Sequence, residues 1–170
     1  MALSNVEIAS HMRRNSACFY KVFAYDQFRP DNCPFFPIAI ILNSEPLAVK
    51  MGHWVAIYID KKMHGTFFDS FGLHPWGKIA TFFAKNATST QFNKIAFQKD
   101  QTSCGHHAIF FLTQMSKGHN LGDILKIYRK CPRRDYDAMV VKQYKKANWV
   151  RVEPICHVVV FDNHVFTYAL

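Results

Sequence analysis

The sequence predicts an α+β fold, with helices packed around a central sheet, in a single domain spanning residues 1–170. Three observations lead to this expectation. The 170 residues are 49% hydrophobic and 15% aromatic, which suffices for one sizeable core. Short apolar runs of strand composition and longer segments of helical periodicity both recur along the chain. The sequence contains no internal repeat and no low-complexity tract.

The first half of the chain is expected to hold one helix followed by strands. Ser4 and Glu7 have the spacing of a capping box, which predicts a helix of about three turns at the N-terminus. A proline-rich loop, YDQFRPDNCPFFP, then leads into the apolar run 38–42, which predicts a buried strand. Residues 53–60 and 65–71 have strand composition and are separated by the polar turn KKMHG, so they predict a β-hairpin.

The second half is expected to be mainly helical. The segment 94–98, KIAFQ, predicts one more short strand. Apolar periodicity and capping residues predict four helices, over residues 76–86, from about Cys104 to Gly118, from Asn120 through Lys130 and from Asp135 through about Ala147. The last 22 or so residues have strand composition, and the pattern assigns them no role.

Composition excludes several classes of protein. No apolar run approaches the roughly 18 residues of a membrane span, and charges occupy the N-terminal region where a signal peptide would be apolar. We therefore expect a protein that is not secreted and has no membrane partner. The five cysteines are scattered and form no CxxC pair, which argues against a disulfide framework or a zinc ribbon; they are Cys18, Cys33, Cys104, Cys131 and Cys156.

Two adjacent histidines, His106 and His107, are the only hint of a metal site. Neighbouring residues on a helix point about 100° apart, so the two cannot easily bind one ion, and no second Cys or His follows at helical spacing. The sequence predicts no metal.

The net charge of +9 is concentrated late in the chain, in residues 126–134 and 142–151. Such an excess indicates either a solvated basic face or a surface that binds a polyanion such as nucleic acid. Composition does not separate these two readings. If nucleic acid binds, the candidate contacts are Arg133, Arg134, Lys142, Lys145 and Lys146.

The stretch FFDSFG surrounds Asp69 with aromatic residues at the end of a predicted strand. A carboxylate that is partly desolvated needs a cation or a hydrogen-bond donor as partner. His53 begins the neighbouring strand of the predicted hairpin, so the two side chains can lie side by side. A carboxylate on one imidazole nitrogen fixes the tautomer and leaves the other nitrogen for proton transfer.

Cys104 is the candidate nucleophile that such a histidine would serve. It lies where a loop enters a helix, and the helix dipole together with a nearby imidazolium favours the thiolate. Gln98 precedes it by six residues and could donate its amide N–H to a developing oxyanion, beside the backbone N–H of Cys104. Gln101 is the alternative donor, although it lies only three residues from Cys104. Trp54 is expected either to shield the His–Asp pair from water or to pack in the core.

The order GHW, FFDSFG and Q-x5-CG resembles the adenovirus-protease-like cysteine peptidases, which share a clan with the SUMO- and ubiquitin-like-protein proteases. FYKVFAYDQFRP, IILNSEP and GHWVAIYID also follow the pattern of the adenain and Polinton or adintovirus-type branch. The resemblance covers roughly residues 1–118. It implies a central mixed sheet surrounded by helices. It also assigns the nucleophile to Cys104, the base to His53, the orienting acid to Asp69, where the adenoviral branch has glutamate, and the oxyanion donor to Gln98.

The same resemblance implies a viral endopeptidase that cleaves capsid and core precursor proteins during virion maturation, at sites rich in small residues. It implies that the chemistry needs no cofactor and that DNA and a short viral peptide activate the enzyme. We expect a monomer located in the virion and in the host nucleus or cytoplasm.

Two alternatives remain at this stage. A deubiquitinase or SUMO-like isopeptidase of the same clan would use the same catalytic residues. A non-catalytic, basic nucleic-acid-binding module would account for the charge, but not for the ordered His, Asp, Gln and Cys.

Overall fold

The computed structural model describes residues 2–15, 19–31, 35–49, 51–148, 157–161 and 164–168. Within these ranges it contains five α-helices, one 3-10 helix and seven strands. The helices are α1 (Asn5–Asn15), α2 (Gly77–Asn86), α3 (Cys104–Ser116), α4 (Leu121–Arg129) and α5 (Tyr136–Asn148), and the 3-10 helix is Arg133–Asp135. The strands are β1 (Phe19–Phe23), β2 (Ile38–Asn43), β3 (Trp54–Ile59), β4 (His64–Phe68), β5 (Ser89–Phe92), β6 (His157–Phe161) and β7 (His164–Tyr168).

The first five strands form one mixed sheet in the order β1-β2-β3-β4-β5. The outer pairs β1–β2 and β4–β5 are parallel, whereas β2–β3 and β3–β4 are antiparallel. Strands β6 and β7 form a separate antiparallel pair. The predicted α+β fold with a central mixed sheet is therefore confirmed.

Both faces of the sheet are covered, which explains why β2 and β3 read as continuous apolar runs. On one face, Ala56 and Phe68 pack in a core with α1, α3, α4 and α5. On the other face, Ile57 and Phe67 pack against Ile79 of α2. The central strand β3 is thus enclosed between two helical layers.

Most predicted elements are confirmed, including the hairpin β3–β4 and four helix starts. At α1, the N–H of Ser4 donates to Glu7 Oε2 at 2.8 Å and the N–H of Glu7 donates to Ser4 Oγ at 3.3 Å, which completes the predicted capping box. At α4, the side chain of Asn120 accepts the N–H of Asp123 at 3.0 Å. The helix predicted from Asp135 begins one residue later, at Tyr136, after the 3-10 turn.

Two strand assignments need correction. The predicted strand over 94–98 is wrong: this segment is a loop, and the strand that pairs with β4 is the polar run Ser89–Phe92. The loop is held because the backbone N–H groups of Phe97 and Gln98 both donate to Ser70 O, at 2.7 and 3.0 Å. Strand β1, which pairs in parallel with β2, is also absent from the elements predicted above. Cys18, Cys33 and Cys156, and residues 32–34 of the proline-rich loop, lie outside the described residues.

Candidate active site

His53 and Asp69 meet at one end of the hairpin β3–β4. His53 immediately precedes β3 and Asp69 immediately follows β4, so the antiparallel pairing of Ala56 with Phe68 brings them together. His53 Nε2 lies 2.8 Å from Asp69 Oδ1, and the carboxylate is completely buried. The imidazole also stacks on Phe71, with ring centroids 4.6 Å apart. The imidazole is therefore held at one edge by the contact with Asp69 and on one face by stacking on Phe71.

Asp69 is fixed by hydrogen bonds to its own backbone and side chain. The N–H of Phe71 donates to Asp69 Oδ1 at 2.7 Å. The buried side chain of Asn93 accepts the N–H of Asp69 at 2.9 Å and donates to the Asp69 carbonyl and to Ile95 O, at 2.6 and 3.0 Å. Asn93, which sequence reasoning missed, thereby joins the loop after β4 to the loop after β5. Its one signal is a polar residue directly after a strand.

A tight turn follows Asp69 and keeps these two loops in contact. Gly72 has a φ of +76°, which a residue with a side chain rarely adopts. A Cβ at this position would lie 2.9 Å from the carbonyl carbon of Ile95. The glycine of FFDSFG is thus required both by the turn and by the close approach of the next loop.

Cys104 is the first residue of α3 and is 4% exposed. Burial lowers the pKa of His53, but hydrogen bonds and charge interactions with Asp69 and Cys104 outweigh burial and raise that pKa to about 9. The structure thus brings Cys104, His53 and Asp69 into one interacting group. An imidazole with this pKa is protonated at neutral pH and can stabilise a neighbouring thiolate.

Packing around Cys104 is close because a glycine follows it. A Cβ at Gly105 would lie 3.3 Å from Leu3 Cβ and 3.3 Å from Trp54 Cδ1. Trp54 is 6% exposed and its indole N–H donates to Leu3 O at 3.0 Å. Trp54 therefore belongs to the core and also ties the N-terminal segment to the start of α3.

The two glutamines lie in different environments. Gln98 is buried; its Oε1 accepts from Ser70 Oγ at 2.6 Å and its Nε2 donates to Asp100 O at 2.7 Å. These contacts orient the amide and leave the second N–H of Nε2 for another acceptor. Gln101 is exposed and lines the cleft that contains Cys104. The geometry gives Gln98 a fixed orientation and gives Gln101 access to the cleft.

The cleft beside Cys104 has a volume of about 260 Å³. Its walls include the N-terminal segment, Trp54 and the exposed apolar side chains of Leu47, Val49 and Met51. None of its described lining residues is charged, although the protein carries a net charge of +9.

The other candidate residues are not among the described lining residues of this cleft. Lys142, Lys145 and Lys146 are exposed on α5, and Arg133 and Arg134 are exposed in the 3-10 helix before it. The side chains of His106 and His107 are buried on α3, where His107 contacts Tyr128 and Asp137. The described residues contain no group of three His, Cys, Asp or Glu side chains arranged to hold a metal ion.

Comparison with solved structures identifies the fold. The ASFV pS273R protease matches with a TM-score of 0.57 over 89% of this chain and 62% of its own, at 14% identity. The chain has the fold of this protease. It spans less than two thirds of that protein's length. The central domain of the uncharacterized Lpg1148 protein from Legionella pneumophila matches with a TM-score of 0.51 over 86% of this chain and 98% of its own, also at 14% identity.

The SUMO protease Ulp1 is also similar, with 14% identity over 84% of this chain and 78% of its own. Its TM-score is 0.43. No family model matches the sequence, and no curated protein sequence matches it. None of the helices in the described part of the chain is long and apolar enough to cross a membrane.

Proposed function

We propose that the protein is a cysteine endopeptidase. The observation that carries the proposal is the 2.8 Å contact of His53 with the buried carboxylate of Asp69. Interactions with both Asp69 and Cys104 raise the pKa of His53, and Cys104 begins a helix beside a cleft. This arrangement supplies a nucleophile, a proton carrier and an orienting acid. The fold shared with the ASFV pS273R protease supports the same reading.

In the proposed reaction, the Cys104 thiolate attacks a peptide carbonyl carbon and forms a C–S bond. The carbonyl oxygen becomes an oxyanion that the Cys104 N–H and the free N–H of Gln98 stabilise. The tetrahedral intermediate collapses, the C–N bond breaks, and the His53 imidazolium gives its proton to the leaving amine. Water, deprotonated by His53, then cleaves the thioester and restores the thiolate.

We further propose that the enzyme cleaves viral capsid and core precursor proteins. It would act in the virion and in the host nucleus or cytoplasm. The motifs that resemble the adenovirus-type branch support this class, and the cleft, whose described lining residues are uncharged, suits segments of small and apolar residues. The exposed lysines of α5 support non-specific binding of DNA, and the same resemblance suggests activation by DNA and a short peptide.

Cleavage of a peptide library tests the proposal without a known substrate. A proteome is digested, its peptide amines are blocked, and new N-termini are mapped by mass spectrometry after incubation with the protein. We expect new termini preceded by small or apolar residues, all absent with Cys104→Ala. Termini that persist in that variant would refute the proposal. Cleavage only of ubiquitin-like conjugates, and of no linear peptide, would favour the isopeptidase alternative.

A further inference from the structure

Asp137, in the first turn of α5, contacts the loop that leads to Cys104. Its Oδ2 accepts the backbone N–H groups of Lys99 and Asp100, at 3.0 and 3.2 Å. Its Oδ1 accepts from Ser103 Oγ at 2.7 Å. One carboxylate on a separate helix therefore contacts both ends of the five-residue loop 99–103.

A buried histidine of the nucleophile helix contacts the same carboxylate. His107 Nε2 lies 2.8 Å from Asp137 Oδ1, and His107 Nδ1 lies 2.7 Å from the hydroxyl of Tyr128 on α4. Burial lowers the pKa of His107 and outweighs the opposing effect of Asp137, which favours the neutral imidazole. The neutral ring then accepts the Tyr128 O–H at Nδ1 and donates from Nε2 to Asp137. This network joins α3, α4 and α5 behind the nucleophile.

The loop held by Asp137 also orients the amide of Gln98. Gln98 Nε2 donates to the carbonyl of Asp100, the residue whose N–H Asp137 accepts. The side chain of Asp100 stiffens the same loop, because its Oδ1 accepts the N–H groups of Thr102 and Ser103, both at 2.7 Å. A displacement of Asp100 would therefore move the hydrogen-bond partner of Gln98.

We propose that Asp137 is a positioning residue that holds loop 99–103, and through Asp100 the Gln98 amide, in the geometry that stabilises the oxyanion. The inference rests on the proposed function. Donors aimed in advance at a developing charge are effective only when the surrounding contacts hold them in place. A carboxylate suits this purpose because its hydrogen bonds are stronger than those of a neutral acceptor. Burial raises the pKa of Asp137, but the hydrogen bonds from His107, Ser103, Lys99 and Asp100 outweigh it and lower that pKa, which favours the ionised form.

A purely structural role would affect all reactions of Cys104 alike. Acyl transfer from p-nitrophenyl acetate forms a C–S bond, passes through an oxyanion and releases p-nitrophenolate. Alkylation by iodoacetamide also forms a C–S bond but displaces iodide without any oxyanion. The two reagents therefore separate oxyanion positioning from the reactivity of the thiol.

Asp137→Asn is the test variant. The amide replaces one acceptor oxygen with a donor, which must face either the backbone N–H groups or His107 and Ser103. We expect Cys104-dependent acylation, measured as the p-nitrophenolate burst, to fall about 10-fold or more. Alkylation of Cys104 should stay within about 2-fold of the wild type. Ser103→Ala removes one donor to Asp137 and preserves the other contacts, so it should lower acylation by a smaller factor. It serves as the test variant if Asp137→Asn does not fold.

Asp135→Asn is the matched control, because Asp135 lies two residues away, is half exposed and has Arg134 as its ion-pair partner at 3.7 Å. It should leave both reactions unchanged. Equal losses of acylation and alkylation in Asp137→Asn or Ser103→Ala, or no loss in either, would overturn the inference while the proposed function stands. A wild-type protein without any burst above that of Cys104→Ala would instead refute the proposed function and this inference with it.

Discussion

The buried carboxylate of Asp69 holds the imidazole of His53 through a 2.8 Å contact between Oδ1 and Nε2, across the hairpin that separates them by 16 residues. The contact engages Nε2, so Nδ1 is the ring nitrogen left for proton transfer. It also raises the pKa of His53, which prepares the proton needed by a leaving amine.

Asp69→Asn should lower the pKa of His53 well below about 9, because burial is then opposed only by the interactions with Cys104. NMR titration of the His53 ring protons measures this change. We expect peptidase kcat to fall by roughly 10² to 10⁴ at pH 7. An unchanged titration midpoint would contradict the assigned pair.

The same shift has a consequence for stability. The folded-state pKa of His53 lies above the unfolded value, so its contribution is present below about pH 6.5 and is lost as pH rises through about 9. Its size is about 2 to 3 kcal/mol. Denaturant unfolding at pH 6 and pH 9.5 should show this loss in the wild type and a much smaller one in Asp69→Asn. Parallel losses in both proteins would contradict it.

The two glutamines can be separated by kinetics. Loss of an oxyanion donor should lower kcat by roughly 10² to 10³ with little change in KM, because the contact strengthens only in the transition state. We expect this pattern for Gln98→Ala and not for Gln101→Ala. Because Gln101 is exposed in the cleft, its substitution should mainly change KM. The reverse pattern would assign the role to Gln101.

Buried His106 should make the protein sensitive to acid. Burial lowers its pKa to about 4, so between pH 6.5 and 4 the unfolded state binds a proton that the folded state excludes. Stability therefore falls as pH decreases through this window, by about 2 kcal/mol from this residue at pH 5.

His106→Phe tests this prediction, because a phenyl ring can keep the edge contact with Tyr144 and His106 Nδ1 has no hydrogen-bond partner among the described residues. The variant should be more stable than the wild type at pH 5, relative to their difference at pH 7. His119→Gln, at an exposed position, is the control. Denaturation curves that shift equally with pH in the wild type and His106→Phe would contradict the assignment.

The basic face of α5 predicts DNA binding without base specificity. Affinity should fall steeply with salt, because each neutralised phosphate releases a counterion. Fluorescence anisotropy at two salt concentrations measures it, and cleavage assays with and without DNA measure activation. Lys142/Lys145/Lys146→Glu should weaken binding, whereas Lys61/Lys62/Lys94→Glu, an equal change of charge at exposed positions elsewhere, should weaken it much less. No detectable binding at about 50 mM salt would leave the charge as a solvated surface.

Local signals explain what the sequence predicted. The capping residues Ser4 and Asn120 act within three residues of themselves, so the starts of α1 and α4 are readable from a short window. Strands β2 and β3 are apolar on both faces because helices cover both faces of the sheet. The pairing of His53 with Asp69 follows from a short hairpin, because the start of its first strand lies beside the end of its second strand.

Non-local contacts explain what it missed. The polar strand β5 exists because it pairs in parallel with β4, and no pattern within STQF indicates this. Phe97 is buried without belonging to a strand, so its apolar character suggested a strand that does not exist. Asp137 contacts a loop more than 30 residues earlier in the chain, at Lys99 and Ser103. Such a contact depends on the packing of α5 against α3, so no pattern in the sequence near Asp137 predicts it.

Peptide cleavage by the proposed mechanism requires a covalent acyl-enzyme on Cys104. The most direct measurement is to quench the reaction in acid during turnover of a peptide from the cleavage library, and to locate the adduct by mass spectrometry. We expect an adduct with the mass of the acyl fragment on the peptide that contains Cys104, and neither adduct nor cleavage in Cys104→Ala. Cleavage that persists in Cys104→Ala, or an adduct located on Cys131 instead, would contradict it.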